Sequence, residues 1–478
     1  MSLFQILVFV CVALVIKWGL PQRWHASAIF GATISGVAWL LWANQPAIQS
    51  AILYTLTLGF VFWVWYLVSD SARTERKSSF SSGVAGIFIV VGMLILGGFL
   101  ATSINEVTTG LLIIALVAAS GAGLFRTVST QLSPNDTVQR DRLILMTIGV
   151  FILVLVVIKL PSLAQAVGLA LEWSAPSLAS GAPFVWLGFS YLAFRLLALL
   201  LDYRAGRVPE GGFDLRNLIT YALFFPAFTA GPIDRAQRFI PELEASAPLT
   251  GSRFVEGVGR ISIGLAKKFL IADTLALVAL QPNLLDSTQS IAGLWLLLYL
   301  YSFQIYLDFS GYSDIAIGIG RLLGITLPEN FDRPYLQRNL QQFWQRWHIT
   351  LSTWFRIYFF TPFSRMLIRS EQDFPQWSIV LVTQVSTMVL IGLWHGITFN
   401  FIVWGLWHGI GLFGHKMLAD RTRGWHNRVS SAVWSRRLIH GLSVVFTFHY
   451  VTLGWVFFAL PEFSQSWSMF TRMLGINS

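Results

Sequence analysis

Apolar runs long enough to cross a bilayer recur along nearly the whole 478-residue chain. A run of ~20 such residues spans the hydrocarbon core as a helix, so the recurrence predicts an all-α, polytopic membrane protein. Composition agrees. Hydrophobic residues make up 55% of the chain and charged residues 12%, against about 25% charged in ordinary soluble domains. The net charge of +10 does not point to nucleic acid. Its basic residues fall in short loops between apolar runs, where positive charge sets membrane orientation. The single cysteine, Cys11, excludes an intrachain disulfide and a cysteine-based metal site.

The first run, Leu3 to Ile16, has no basic region before it, and Lys17 and Arg23 follow it. This reads as a retained first span with its N-terminus outside, not a cleaved signal. Further runs lie at 27–43, 49–68, 83–101, 108–125, 143–159, 184–201, 262–281, 290–309, 377–394, 399–417 and 441–459. Among these twelve runs the expected total is about eleven spans. Basic loops at 21–26, 69–80, 126–142 and 202–216 alternate with nearly uncharged ones. That alternation puts Ser78, Arg140 and Arg207 in the cytoplasm, Asn44 and Ser103 outside, and both termini outside. The expected organisation is N-terminal transmembrane helices over 1–180, a catalytic core over 181–420, and a C-terminal loop and last span over 421–478. Within 217–234, Pro226, Gly231 and Pro232 interrupt an apolar stretch. This predicts a broken or re-entrant helix, which is tolerated only where protein or a water-filled cavity covers it. An interfacial helix follows at 235–244. Lys267 and Lys268 are expected to snorkel to the cytoplasmic face.

Two histidines stand out because an imidazole in so apolar a chain is costly without a partner or a task. His348 lies in a segment read as one helix over 336–361. There Leu340, Phe343, Trp344, Trp347, Leu351, Trp354, Phe355 and Tyr358 recur at steps of three and four. The stripe resembles a helix lying in the membrane interface and ended by Pro362. His348 sits at its edge, one turn before Ser352; an interfacial histidine with its ring at headgroup level is the competing reading. His395 falls between two spans, bracketed by Gly392 and Gly396, with Thr398 and Asn400 following. The glycines would let the backbone open there, and the polar side chains could bond a ring nitrogen. The competing reading is a capped turn histidine. His408 and His415 are read as packing residues. No carboxylate or cysteine stands at ligand spacing, and neither H-E-x-x-H nor H-x-E occurs, which argues against a metal. Gln304, Asp308 and Tyr312 share a helix face, with Asp314 beyond them. Carboxylates at that depth mark a cavity or a helix–helix hydrogen bond.

Four stretches carry a family resemblance: Asp308 to Gly318, Pro328-Glu329-Asn330-Phe331, Gln342 to His348 running on to Arg356, and Gly392-Leu393-Trp394-His395-Gly396. Together they resemble the membrane-bound O-acyltransferase (MBOAT) family, in its bacterial polysaccharide branch of alginate O-acetylation and teichoic-acid D-alanylation proteins. The resemblance is specific over roughly 184–415. It implies His395 as the invariant histidine and His348 as the second functional position. It also implies a cytoplasmic acyl thioester donor and transfer to a hydroxyl toward the outer side. Histidine suits that chemistry, since a base must take the hydroxyl proton as the oxygen attacks the thioester carbonyl. His348 would orient the thioester or stabilise its oxyanion. Trp344, Trp347 and Trp394 would close the cavity, with Ser352, Asp308, Tyr312 and Asn400 as further substrate contacts. Arg338, Arg346 and Arg356 would attract donor phosphates. The donor is expected to be acyl-CoA, acetyl-CoA first, with no permanently bound cofactor and no metal. Expected partners are an exported or membrane-anchored acyltransferase or esterase-like protein, a polysaccharide acceptor and the bilayer of the inner (plasma) membrane. The rival classes are a multi-pass transporter, with Asp308 and 217–234 as its site, and the same fold acting on a lipid, protein or teichoic-acid acceptor.

Overall fold

The computed structural model describes residues 1–44, 47–69, 137–174, 184–429 and 433–476. The runs read at 83–101 and 108–125 lie outside these residues, as do Ser78, Ser103 and most of the loops around them. The described elements are helices, and no strand occurs among them. Six of them are long and apolar enough to cross a membrane, and Leu3–Gly19 is a shorter apolar helix. The chain divides into two compact units. One holds Met1–Leu155, Gln165–Gly259 and Ala316–Leu327; the other holds Val156–Ala164, Arg260–Ile315 and Pro328–Ser478.

In the first unit the opening helix, Leu3–Leu14, starts at a capping box. The Ser2 hydroxyl accepts the Gln5 N–H at 3.2 Å, and the Gln5 side chain accepts the Ser2 N–H at 2.9 Å. Two N–H groups that the helix cannot satisfy internally are thereby paired. The stretch expected to be a broken helix is one. Leu215–Leu223 ends, a single 3-10 turn follows at Phe225–Ala227, and the next helix begins only at Ala236. Protein covers the break, as a membrane environment requires. The guanidinium of Arg195, itself 2% exposed, donates to the carbonyls of Tyr221, Ala222, Ala227 and Pro232 at 2.9–3.2 Å. One buried cation thus replaces several missing helical hydrogen bonds.

The second unit carries the histidines. Its central helix, Ile291–Leu322, runs well past the expected end at 309. Gly311 is where it meets the 251–265 helix: a Cβ on Gly311 would stand 2.9 Å from the Gly264 carbonyl oxygen, and one on Gly264 only 2.6 Å from that of Gly311. Small residues here permit the close approach that glycine suggests. Lys267 and Lys268, expected at the cytoplasmic face, are both ion-paired. Lys267 pairs with Asp314 at 2.7 Å, and Lys268 with Asp308 and Asp273 at 2.6 Å each.

The helix expected over 336–361 is several pieces: a 3-10 turn at Pro334–Leu336, helices at Leu340–Trp344 and Ile349–Phe355, a π-helical turn at Arg356–Phe360, and a helix at Thr361–Ile368. One cause is visible. His348 adopts a left-handed backbone (φ 43°, ψ 55°), which ends any continuing helix. Pro362 does not stop the helix as expected: it lies just after the π-helical turn, within a helical run that is unbroken from 349 to 368. The tryptophan stripe faces protein, not lipid. Trp344 is 9% exposed and Trp347 5%, and Trp347 packs its ring on Phe331, Phe343 and Trp455.

Helices Gln376–His395 and Phe399–Val429 form a tight hairpin. Glycines line their seam. A Cβ on Gly405 would fall 2.5 Å from the Val389 Cα, one on Gly409 2.7 Å from the Val385 Cα, and one on Gly392 against the Phe401 carbonyl oxygen. Gly392 therefore serves close packing, not the backbone opening expected of it. The opening itself is residues 396–398, after which the second helix starts. Because backbone atoms cannot yield as side-chain ends can, Gly405→Val is expected to destabilise the hairpin by ~1–3 kcal/mol through overpacking. Gly414, on the same helix, has open space around it, so Gly414→Ala should be neutral or slightly stabilising. Thermal midpoints in detergent compare the two, and equal midpoints would refute the packing assignment.

Candidate active site

His348 and His395 are brought together on one indole. The Trp394 ring lies 6.1 Å from His348 and 4.5 Å from His395, centroid to centroid. His395 closes the first helix of the hairpin. Its ring is wedged among Phe401, Trp404 and Phe458 at 4.8–5.9 Å. His348 comes from the broken segment and is only 3% exposed, with Phe309 edge-on at 4.6 Å.

Asn330 holds His348 in place. It is wholly buried. Its backbone carbonyl accepts the Ile349 N–H at 2.9 Å. Its side-chain oxygen accepts from the Thr350 N–H at 3.3 Å, the Thr350 hydroxyl at 2.9 Å and His348 Nδ1 at 3.1 Å. Its side-chain nitrogen donates to the Ser313 hydroxyl at 3.2 Å. The backbone N–H of Thr350 can only donate, so the amide oxygen must face it and the same oxygen faces His348. This assigns the proton of the neutral ring to Nδ1. Nε2 then carries the lone pair, and it is buried without a hydrogen-bond partner. Burial also pushes the His348 pKa well below the ordinary imidazole range, which keeps the ring neutral at physiological pH.

Asn330 also lies on the wall of a cavity of about 330 Å³ with Arg260, Lys267, Asp314 and Arg333. Asp314 is nearly buried. It accepts from Arg260 at 2.6 Å and from Lys267 at 2.7 Å, and Arg260 also pairs with Glu329. One side of the residues that hold His348 is thus apolar and aromatic, and the other is polar.

The remaining sequence-stretch candidates scatter around this centre. Trp344 packs on Trp404 and His408. Ser352 donates to the Trp347 carbonyl at 3.3 Å. Arg346 pairs with Asp332, whereas Arg338 and Arg356 are exposed. Asp308 is paired with Lys268, and Tyr312 is half-buried one turn further along the same helix. Asn400 turns from the histidines, its amide donating to the Leu460 carbonyl at 2.6 Å and the Ser466 hydroxyl at 3.2 Å. His408 is fully buried in a cage that includes Trp344 and Trp404. Among the described residues no group of three or more His, Cys, Asp or Glu is placed to hold a metal. Sequence reasoning missed the role of Asn330. The only available signal was an uncharged amide inside Pro328-Glu329-Asn330-Phe331, which nothing local connects to a histidine 18 positions away.

A helical, multi-pass membrane protein with two histidines on a shared aromatic wall is the class these observations define. The family model described as MBOAT, membrane-bound O-acyltransferase family, matches residues 184–460, and the chain belongs to that family. It is 34% identical over 295 residues to a probable alginate O-acetylase AlgI of Pseudomonas aeruginosa, covering 61% of this chain and 52% of that protein. It is 35% identical over 274 residues to a peptidoglycan O-acetyltransferase of Helicobacter pylori, covering 56% and 49%. A teichoic acid D-alanyltransferase of Bacillus subtilis is 30% identical over 284 residues, covering 58% and 69%. The match thus spans about half the length of the alginate and peptidoglycan relatives.

Proposed function

We propose that this chain is a membrane-embedded O-acyltransferase of the inner membrane. It moves an acyl group, acetyl first, from a cytoplasmic thioester to a hydroxyl destined for an extracytoplasmic polysaccharide. The observation that carries this reading is the pair of imidazoles on Trp394, one with its tautomer set by Asn330. The relatives' names, acetylation of alginate and of peptidoglycan among them, support polysaccharide as the acceptor class.

In this reading His395 is the general base. It takes the proton of the acceptor hydroxyl while that oxygen attacks the thioester carbonyl, and returns it to the leaving thiolate. His348 is assigned a different task from oxyanion stabilisation. Its Nε2 offers a lone pair, and an oxyanion needs a donor. His348 instead accepts a hydrogen bond from an amide N–H of the donor's arm and so orients the thioester. Of the cations on the wall of the polar cavity beside Asn330, Arg260 and Lys267 already have carboxylates, as Arg346 does, so Arg333 is the one assigned to the phosphate end of acyl-CoA. A separate exported or membrane-anchored esterase-like protein completes transfer to the polymer.

The test is transfer by the detergent-purified chain. Radiolabelled acetyl-CoA is offered alone and with candidate partner proteins, and label is followed to a hydroxyl acceptor. Acetyl transfer or thioester exchange is expected. No binding, exchange or transfer with acetyl-CoA, but transfer from a D-alanyl carrier, would replace acetyl with an aminoacyl group.

A further inference from the structure

We propose that the Lys159 ammonium supplies the positive charge that stabilises the oxyanion of acyl transfer. This role rests on the acyltransferase reading above. Lys159 is the last residue of the helix Thr137–Lys159. Its carbonyl accepts the Ile397 N–H at 3.0 Å, which ties the end of that helix to the break that follows His395. Its Nζ lies over the Trp394 ring, 5.6 Å from the centroid. This is the indole on which both histidines pack, and Lys159 is an electrostatic neighbour of the His395 ring. The side chain is half-buried. Among the described residues its ammonium has no carboxylate partner and donates no hydrogen bond. Contact with a ring face offsets only part of the cost of placing a cation there. A lysine that merely snorkelled would carry its charge to the headgroups, not across the Trp394 indole.

The reaction requires such a charge. As the acceptor oxygen bonds to the carbonyl carbon, its proton passes to His395 and the carbonyl π pair moves onto oxygen. Collapse of that oxyanion breaks the carbon–sulfur bond, and the thiolate recovers the proton from His395. The ammonium stays protonated throughout and stabilises the one negative oxygen that forms. His348 cannot do this, because its free nitrogen is an acceptor. Arg346 is held by Asp332, and Arg260 and Lys267 by Asp314. Lys159 stands over the indole on which both rings pack, and among the described residues it has no carboxylate of its own.

Lys159→Met, Lys159→Gln and Lys159→Arg in the full chain separate function from structure. Met keeps the stem and removes a charge that lacks a counter-ion, so its thermal midpoint should equal or exceed that of the wild type. Its kcat should fall about 10²-fold or more, the loss typical of one oxyanion-stabilising group, with the KM for the acyl donor little changed. Gln should behave like Met, and Arg should stay within about tenfold of wild type. Wild-type kcat in Lys159→Met or Lys159→Gln would overturn the proposal while leaving the acyltransferase reading intact. Loss in all three variants together with lowered midpoints would overturn it in favour of a structural lysine. A wild type inactive with every acyl donor would overturn both.

Discussion

His395→Ala is expected to lower the rate of acyl transfer by ~10²–10⁴, the usual cost of losing a general base. The flanking glycines do not make this a silent change for the fold. Gly392 is pressed against the Phe401 carbonyl and Gly396 against the Phe401 ring, so neither leaves slack to refill the hole. The imidazole is one wall of a cluster with Trp394, Phe401, Trp404 and Phe458. Its removal should therefore also cost ~2–4 kcal/mol of stability by opening a cavity. His395→Phe distinguishes the two effects. It restores most of the volume and none of the basicity, so its thermal midpoint should lie close to wild type while transfer stays lost. Single-turnover transfer on monodisperse detergent-solubilised protein provides the comparison. A His395→Phe protein with near-normal transfer would remove His395 from the chemistry. His408→Ala, which empties a tryptophan cage away from Trp394, should lower the midpoint far more than the rate.

The second large effect concerns Asn330 and His348. His348→Ala should reduce transfer by ~10²–10³ and, because His348 orients the donor, should raise the donor KM as well as lower kcat. Asn330→Ala removes the acceptor that fixes the His348 tautomer and that the Thr350 N–H and hydroxyl share in a buried site. That should cost ~1–3 kcal/mol of stability and ~10–10² in rate. If Asn330 acts on the reaction through His348, the double variant should transfer no more slowly than His348→Ala alone. Independent, multiplying losses would show that Asn330 touches substrate directly. Asn330→Asp is a sharper variant of the same experiment. It keeps an acceptor for Nδ1–H, so the tautomer survives and the rate should exceed that of Asn330→Ala, despite the burial of a new charge.

The two histidines stand out in the sequence for a thermodynamic reason. In a chain this apolar a buried imidazole is expensive, and His348 and His395 each follow a tryptophan; His408, also between tryptophan and glycine, fills a cage, so the flanking residues alone do not separate a candidate base from a packing histidine. The same reasoning located the broken helix at 217–234, where proline and glycine remove helical hydrogen bonds whatever surrounds them. It failed over 336–361. The period of Trp344, Trp347, Leu351 and Trp354 is helical, and periodicity cannot register one residue, His348, turned into the left-handed region by hydrogen bonds to a loop 18 positions earlier. The ion pairs of Lys267 and Lys268 were missed for a similar reason: their carboxylate partners come from another helix or from a later turn, and no local rule pairs them.

What the amino-acid sequence determined by itself is the class of protein and the identity of its unusual residues. Bilayer thickness sets the length of the apolar runs, and the cost of burying polar groups makes each exception conspicuous. What only the tertiary structure decided is which exceptions meet. The glycine seam that lets helices 376–395 and 399–429 touch, the Asn330 amide that selects a tautomer, and the Lys159 ammonium over Trp394 all depend on contacts between residues far apart in the chain. Such contacts are worth a few kcal/mol each and arise from packing in three dimensions, which a linear pattern of apolar and polar residues does not encode.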